Sequence, residues 1–231
     1  MNESAKLIPD NENAVLFMRH AERYTNPPDG NYSYLLLTPD GIKEANNLGA
    51  AIDRKVRTVI SSPVERCRQT IKEIVRCVPK EFTPDEKISE NSDVKTEKEF
   101  GRFIGNPDPI EKGGVGWYQF FHYLQVHDTV SARGVTSEQE TKRIIDAIFR
   151  CTLDSERKVA SDDSNATLDI ICSHDGHVVV LAGDLFGLRT DKDGWSEEWC
   201  KYAEGIFFTG TRRDFTAYWR GQKKRFVDYY M

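Results

Sequence analysis

Three short, largely apolar runs, AVLFM at 14–18, TVI at 58–60 and LDIIC at 168–172, each lead directly into polar residues and a helix start. A strand apolar at nearly every position, rather than at every second one, has no face to offer water. It belongs inside a sheet covered on both sides, the usual setting of parallel strands joined by helices. The intervening segments read as those helices. Thr38-Pro39-Asp40 supplies an N-cap, a proline at the first helical position and an acidic first turn. Ile42, Ala45, Leu48 and Ile52 then form one apolar face of a helix over 39–54. Ser61-Ser62-Pro63 reads as a second cap, opening a helix over 63–77. Ser137 with Glu140 fits a capping box, followed by a helix over 138–151 striped by Ile144, Ile145, Ile148 and Phe149. An apolar helix over 177–186 follows the third run; 205–209 and 215–219 read as closing strands in a hairpin-like arrangement, and Lys223-Lys224-Arg225 as a solvated tail. Together these predict an α/β fold: a three-layer sandwich with a mostly parallel central sheet flanked by helices.

Residues 1–231 are expected to form a single domain, with 79–136 as an insertion or lid segment inside it, since prolines and Gly113-Gly114-x-Gly116 interrupt its pattern ahead of the aromatic run WYQFFHYL. No following Gly-Lys-Ser/Thr accompanies those glycines, so a P-loop reading fails. The aromatic run reads as core, as do His122 and His127 within and beside it. With 32 Lys and Arg against 37 Asp and Glu, the net charge of −5 argues against nucleic acid or other large polyanions as partners. No apolar stretch is long enough to span a bilayer, no secretory signal is visible, and the five cysteines are widely spaced. The expectation is a cytoplasmic protein with buried free thiols, no membrane partner and small anionic clients. Oligomeric state is not readable from the chain.

Open α/β sheets place their ligands beyond the carboxyl ends of the strands. There the chain carries Arg19-His20-Ala21-Glu22-Arg23, Ser62-Pro63-Val64-Glu65-Arg66-Cys67-Arg68-Gln69-Thr70, and Ser173-His174-Asp175-Gly176-His177. Imidazoles and guanidiniums at one sheet edge suit phosphoryl transfer. A neutral imidazole nitrogen can take a phosphoryl group covalently. Arginine forks complement its non-bridging oxygens, so neither a metal nor any other cofactor is called for. A leaving alkoxide also needs a proton from a nearby acid. His177 reads as a structural residue at the start of its helix rather than a metal ligand, and Arg68, Arg76 and Arg102 as solvated or ion-paired.

In FMRHAER, LTPDGIKEANNLG, SSPVERCRQT and CSHDGH, taken in this order, the chain resembles the histidine phosphatase superfamily, the phosphoglycerate mutase-like or acid phosphatase fold. The resemblance implies His20 as the nucleophile that becomes phosphohistidine, Arg19, Arg23 and Arg66 as phosphate-binding residues, and His174 as the second histidine on the transferring group. It also implies a metal-independent phosphatase acting on a small phosphate monoester, with a phosphoglycerate mutase or bisphosphatase as the alternative and an inactive phospho-ligand-binding domain as a remoter one. The branches of the superfamily differ over the proton donor. In the acid phosphatase branch an Asp follows the second histidine, which puts the role on Asp175. In the mutase-like branch a Glu stands four residues before a glycine, which Glu97 and Gly101 in KTEKEFG satisfy. The sequence reading prefers Asp175, whose placement needs no gapped alignment.

Overall fold

The structure, a computed structural model, describes residues 2–25, 35–83, 94–101, 136–152, 166–189 and 199–229. A short helix α1 (Asn2–Ala5) precedes β1 (Ala14–Arg19), α2 (Pro39–Ala50), β2 (Lys55–Ser61) and α3 (Glu65–Cys77). Further along come α4 (Ser137–Cys151), β3 (Thr167–Ser173), α5 (Asp175–Phe186), β4 (Gly205–Gly210), β5 (Asp214–Trp219) and β6 (Gln222–Val227). These strands form one sheet in the order β2-β3-β1-β4-β5-β6. The expected three-layer α/β sandwich is present, with a mixed sheet: β2, β3 and β1 are parallel, and β4, β5 and β6 continue the sheet antiparallel.

Period-two alternation explains why the first run is apolar throughout. Val15 and Phe17 enter a core formed with α4 and α5, while Leu16 and Met18 enter one formed with α2 and α3. In β3 the same alternation sends Ile171 to the first core and Ile170 and Cys172 to the second. Asp169, the polar exception in β3, is buried and takes a bidentate pairing from Arg57 of β2. α3 buries Cys67, Ile71, Ile74 and Val75 at helical spacing, whereas α5 is buried along almost its whole length and ends on Gly187, whose φ of 80° suits a glycine cap.

α2 and α3 approach closely at Gly49. A Cβ there would lie on the Ile74 carbonyl, backbone that cannot swing aside. Gly49→Ala is therefore expected to cost about 1–3 kcal/mol of stability, the range for overpacking. Urea unfolding checks this. An unchanged midpoint would mean that the two helices part without cost.

Several local expectations are corrected. The cap of α4 is Thr136, whose side chain accepts from the Gln139 amide while Gln139 bonds back to the Thr136 amide. Ser137 instead bonds Asp184, and Glu140 is buried against Arg143, so neither serves the cap. Helix α3 starts at Glu65 with no side-chain cap, because its N-cap residue is Val64; the Ser62 hydroxyl accepts the Val64 amide and the His174 ring instead. Lys223, Lys224 and Arg225 lie in the edge strand β6, where their charge discourages pairing with a further strand. Of the 79–136 segment, residues 94–101 run alongside β2, with Thr96 bridging Ser61. The glycine cluster, the aromatic run, Arg102, His122 and His127 lie outside the described residues. Arg68 pairs with Glu65 and Arg76 with Glu73. All five cysteines are free.

Candidate active site

Parallel pairing of β2, β3 and β1 brings their carboxyl ends to one edge, and the ladder continues one step past the strands. The His20 amide donates to Ser173 O at 3.0 Å and the Ser62 amide to Cys172 O at 2.8 Å. Backbone register thus sets Ser62, His174 and His20 side by side.

His20 is 2% exposed. Its Nδ1 donates to the carbonyl of Ala21 at 2.8 Å, and its Nε2 accepts from Arg66 Nε at 2.9 Å. The backbone acceptor fixes the tautomer, so the lone pair sits on Nε2. Burial, reinforced by the charge of Arg66, the neighbouring His174 and the charge of Arg19, holds the imidazole well below its ordinary value of 6.5; the Ala21 carbonyl opposes this only in part. His20 is neutral at pH 7.

Arg66 and Thr70, four residues apart, stay on one side of α3, and Ser62 stands in the turn just before it. Arg66 Nη2 donates to His174 Nδ1 at 3.2 Å, leaving His174 Nε2 to donate to Ser62 Oγ at 2.9 Å. Thr70 donates to Arg66 O at 2.7 Å and accepts the Ala21 amide at 3.1 Å, tying the loop after His20 to α3. The His20 and His174 rings meet edge to face at 5.7 Å between centroids. Cys67 donates to Ser173 O at 3.3 Å and lies 3.8 Å from His174 Nε2. Burial lowers the Arg66 guanidinium, and the charge of Arg23 acts in the same direction. Arg23 donates to Tyr24 O at 2.8 Å.

Arg19 points along a different path. Its Nη1 donates to Cys200 O at 2.6 Å, Nη2 lies 3.3 Å from Asp175 Oδ2, and the Tyr202 ring is 3.9 Å from its Cζ. Asp175, the first residue of α5, also accepts the Gly176 amide at 2.9 Å and the Trp199 indole at 3.3 Å. Burial pushes its carboxyl up, but Arg19, the indole, His174 and the Gly176 amide outweigh that and hold it below its ordinary value. Glu97 is half-buried; its amide donates to Ser61 O at 2.9 Å, and its charge acts on Cys151 and Arg150 of α4. Gly101 packs on the Ser62 hydroxyl and Pro63, and the Phe100 carbonyl accepts from Ser173 Oγ at 2.8 Å. His177 is buried with Nδ1 2.9 Å from Ser173 Oγ, a wall residue rather than a pocket one.

The structure therefore gathers His20, Arg66 and His174 directly, with Arg23 close in charge and Arg19 reaching in from the β4 side. Sequence reading missed Tyr202 and Trp199. A usable signal existed: an antiparallel strand beside β1 must begin where β1 ends, as the Met18 to Gly205 pairing does, so the residues preceding β4 lie at the same edge. Among the described residues no three His, Cys, Asp or Glu are grouped to hold a metal, and no helix is long and apolar enough to cross a membrane.

One acid-linked consequence follows from His20. Its folded value is depressed, so the unfolded chain takes up a proton at His20 before the folded chain does. Stability contributed by the neutral ring is complete above 6.5 and is lost as pH falls from there toward the folded value. Lowering the pH by one unit below that point is expected to remove up to about 1.4 kcal/mol through this residue. His20→Asn should flatten the loss in urea titrations at the two pH values. Equal slopes would show that His20 titrates normally.

Over residues 15–195 the chain matches the family model for the histidine phosphatase superfamily, branch 1. Its fold is similar to that of a phosphoserine phosphatase mutant from Entamoeba histolytica in complex with phosphoserine, at 15% identity and a TM-score of 0.56, covering 92% of this chain and 94% of that one. Bacillus stearothermophilus YhfR gives 16% identity and a TM-score of 0.57 over 91% of this chain and 97% of its own. A phosphoglycerate mutase from Bacillus anthracis gives 15% and 0.52 over 92% and 94%. These likenesses are of fold. No curated protein sequence matches the chain.

Proposed function

This chain belongs to the histidine phosphatase superfamily, and on that premise we propose that it hydrolyses a small phosphate monoester through a phosphohistidine on His20. The observation that carries the reading is the pair of bonds on the His20 ring: Nδ1 on a backbone carbonyl, Nε2 facing the Arg66 guanidinium. The first makes Nε2 the nucleophilic atom. The second places a cation where a phosphoryl oxygen arrives.

In the first step the Nε2 lone pair forms the N–P bond while the ester P–O bond breaks, its electron pair leaving on the alkoxide oxygen, which takes a proton from a carboxylic acid. Arg66, moving from Nε2 to the phosphoryl oxygens, joins Arg19, Arg23 and His174 in balancing their charge. In the second step water attacks phosphorus and gives its proton to the same carboxylate. The N–P bond then breaks, returning the electron pair to Nε2. A neutral His20 is ready for the first step without losing a proton.

For the proton donor we favour Glu97. Asp175 is a carboxylate held ionised by Arg19 and an indole NH, the opposite of what an acid requires. Glu97 starts the turn whose backbone is bonded to Ser61 and whose far end packs on Ser62, the partner of His174.

Release of orthophosphate from p-nitrophenyl phosphate, in the presence of a chelator and with no bisphosphorylated primer, is the test. Turnover is expected. If phosphate appears only when a bisphosphorylated sugar acid is supplied, the mutase or bisphosphatase reading replaces this one; if no ester is cleaved under either condition, the reading falls.

A further inference from the structure

Arg19 is gripped before any ligand arrives, and two of the three groups that grip it, Cys200 and Tyr202, lie beyond residues 15–195, the stretch matching the family model. Its Nη1 donates to the Cys200 carbonyl, its Nη2 faces Asp175, and its guanidinium carbon lies 3.9 Å from the centre of the Tyr202 ring. The partners are themselves fixed. Asp175 is held by the Trp199 indole and the Gly176 amide. The Trp199 carbonyl accepts from Arg220 at 3.2 Å, and Arg220 is paired with Glu204, whose carbonyl in turn accepts the Arg19 amide at 2.9 Å. Arg19 Nε alone of the guanidinium nitrogens is buried and has no hydrogen-bond partner among the described residues. The Tyr202 ring also reaches the nucleophile, 6.0 Å from the His20 ring between centroids.

We propose that Asp175, Trp199 and Tyr202 form a socket that fixes the Arg19 guanidinium beside His20, so that its charge is already in place when a phosphoryl group arrives, Asp175 and Tyr202 serving as positioning residues. The inference rests on the reading of Arg19 as a phosphate ligand. An unrestrained arginine loses side-chain freedom when it grips an anion, and a socket removes that loss in advance. Tyr202 contributes its ring face, which a cation prefers to an aliphatic surface. The carboxylate of Asp175 orients the fork from the Nη2 side.

Calorimetric titration with inorganic phosphate tests the socket without needing turnover. Arg19→Ala is expected to weaken phosphate binding about 100-fold, Asp175→Asn and Tyr202→Leu about 10-fold each, and Tyr202→Phe hardly at all. In the Arg19→Ala background Tyr202→Leu should add nothing, because its effect runs through Arg19. On esters, Asp175→Asn should lower kcat/KM by one factor for aryl and alkyl phosphates alike. The socket is refuted if Tyr202→Leu and Asp175→Asn bind phosphate like the wild type, if the Tyr202→Leu loss persists without Arg19, if Arg19→Ala itself binds normally, or if Asp175→Asn selectively loses alkyl phosphates. A chain that binds phosphate in the expected pattern yet cleaves no ester would keep the socket and overturn the hydrolase reading alone.

Discussion

His20→Ala is expected to lower kcat on p-nitrophenyl phosphate by about 10⁴-fold or more, the scale of loss when a covalent nucleophile is removed. An activated leaving group is the right probe, because its departure needs no proton and the loss then reports on the nucleophile alone. The folded protein should survive the change. Truncation opens a small space and removes the acceptor of the Arg66 Nε bond, costs read from the variant's urea midpoint alongside kcat. Rapid quenching of wild-type enzyme during turnover should trap a phosphoenzyme that is labile in acid and stable in base, the signature of a phosphorus–nitrogen bond. His20→Ala should trap none. If the variant retains activity within about tenfold of wild type, or if the wild-type adduct is base-labile and acid-stable, covalent catalysis at His20 is excluded. A neutral nucleophile also sets the acid limb of the wild-type kcat/KM profile below 6.5.

What the sequence made legible were features with a short physical period. Apolar runs with no polar face placed β1, β2 and β3, and the polar residues after them fell at one edge because parallel strands share a direction. Ser62 and Arg66 were legible as one motif ahead of and inside a helix, and the fold sets both against His174. The misreadings came where two residues of equal chemistry compete. Thr136 and Ser137 can both cap, and which one does was decided by Asp184 claiming Ser137 from another helix. Lys223, Lys224 and Arg225 look like a tail until β5 offers them a partner strand. Tyr202 and Trp199 carry no local signal. Their place beside Arg19 depends on β4 pairing antiparallel to β1, a long-range fact. Asp175 shows the same limit: its adjacency to His174 is local, while its contacts with Arg19 and Trp199, far off in sequence, could not be read from the chain.

Glu97→Gln is expected to produce the second large effect, and its form matters more than its size. An alkoxide leaving from an alkyl phosphate is a strong base and departs poorly without a proton, whereas p-nitrophenolate departs well. Loss of the acid should therefore cost about 10²–10⁴-fold on alkyl phosphates and under about tenfold on the aryl ester, with a steeper dependence of rate on leaving-group basicity. The basic limb of the alkyl phosphate profile should vanish in the variant, since that limb marks loss of the donated proton. A glutamine keeps the size of the side chain and leaves in place the backbone bond to Ser61, so the turn over Ser62 should stay seated. Arg66→Ala supplies the contrast: it removes a cation from both the nucleophile and the second histidine, and should slow both classes of ester by one factor. A uniform loss in Glu97→Gln would mean that Glu97 only shapes the wall. A steep leaving-group dependence in Asp175→Asn instead would return the proton to the residue beside His174, and with it the preference drawn from the sequence.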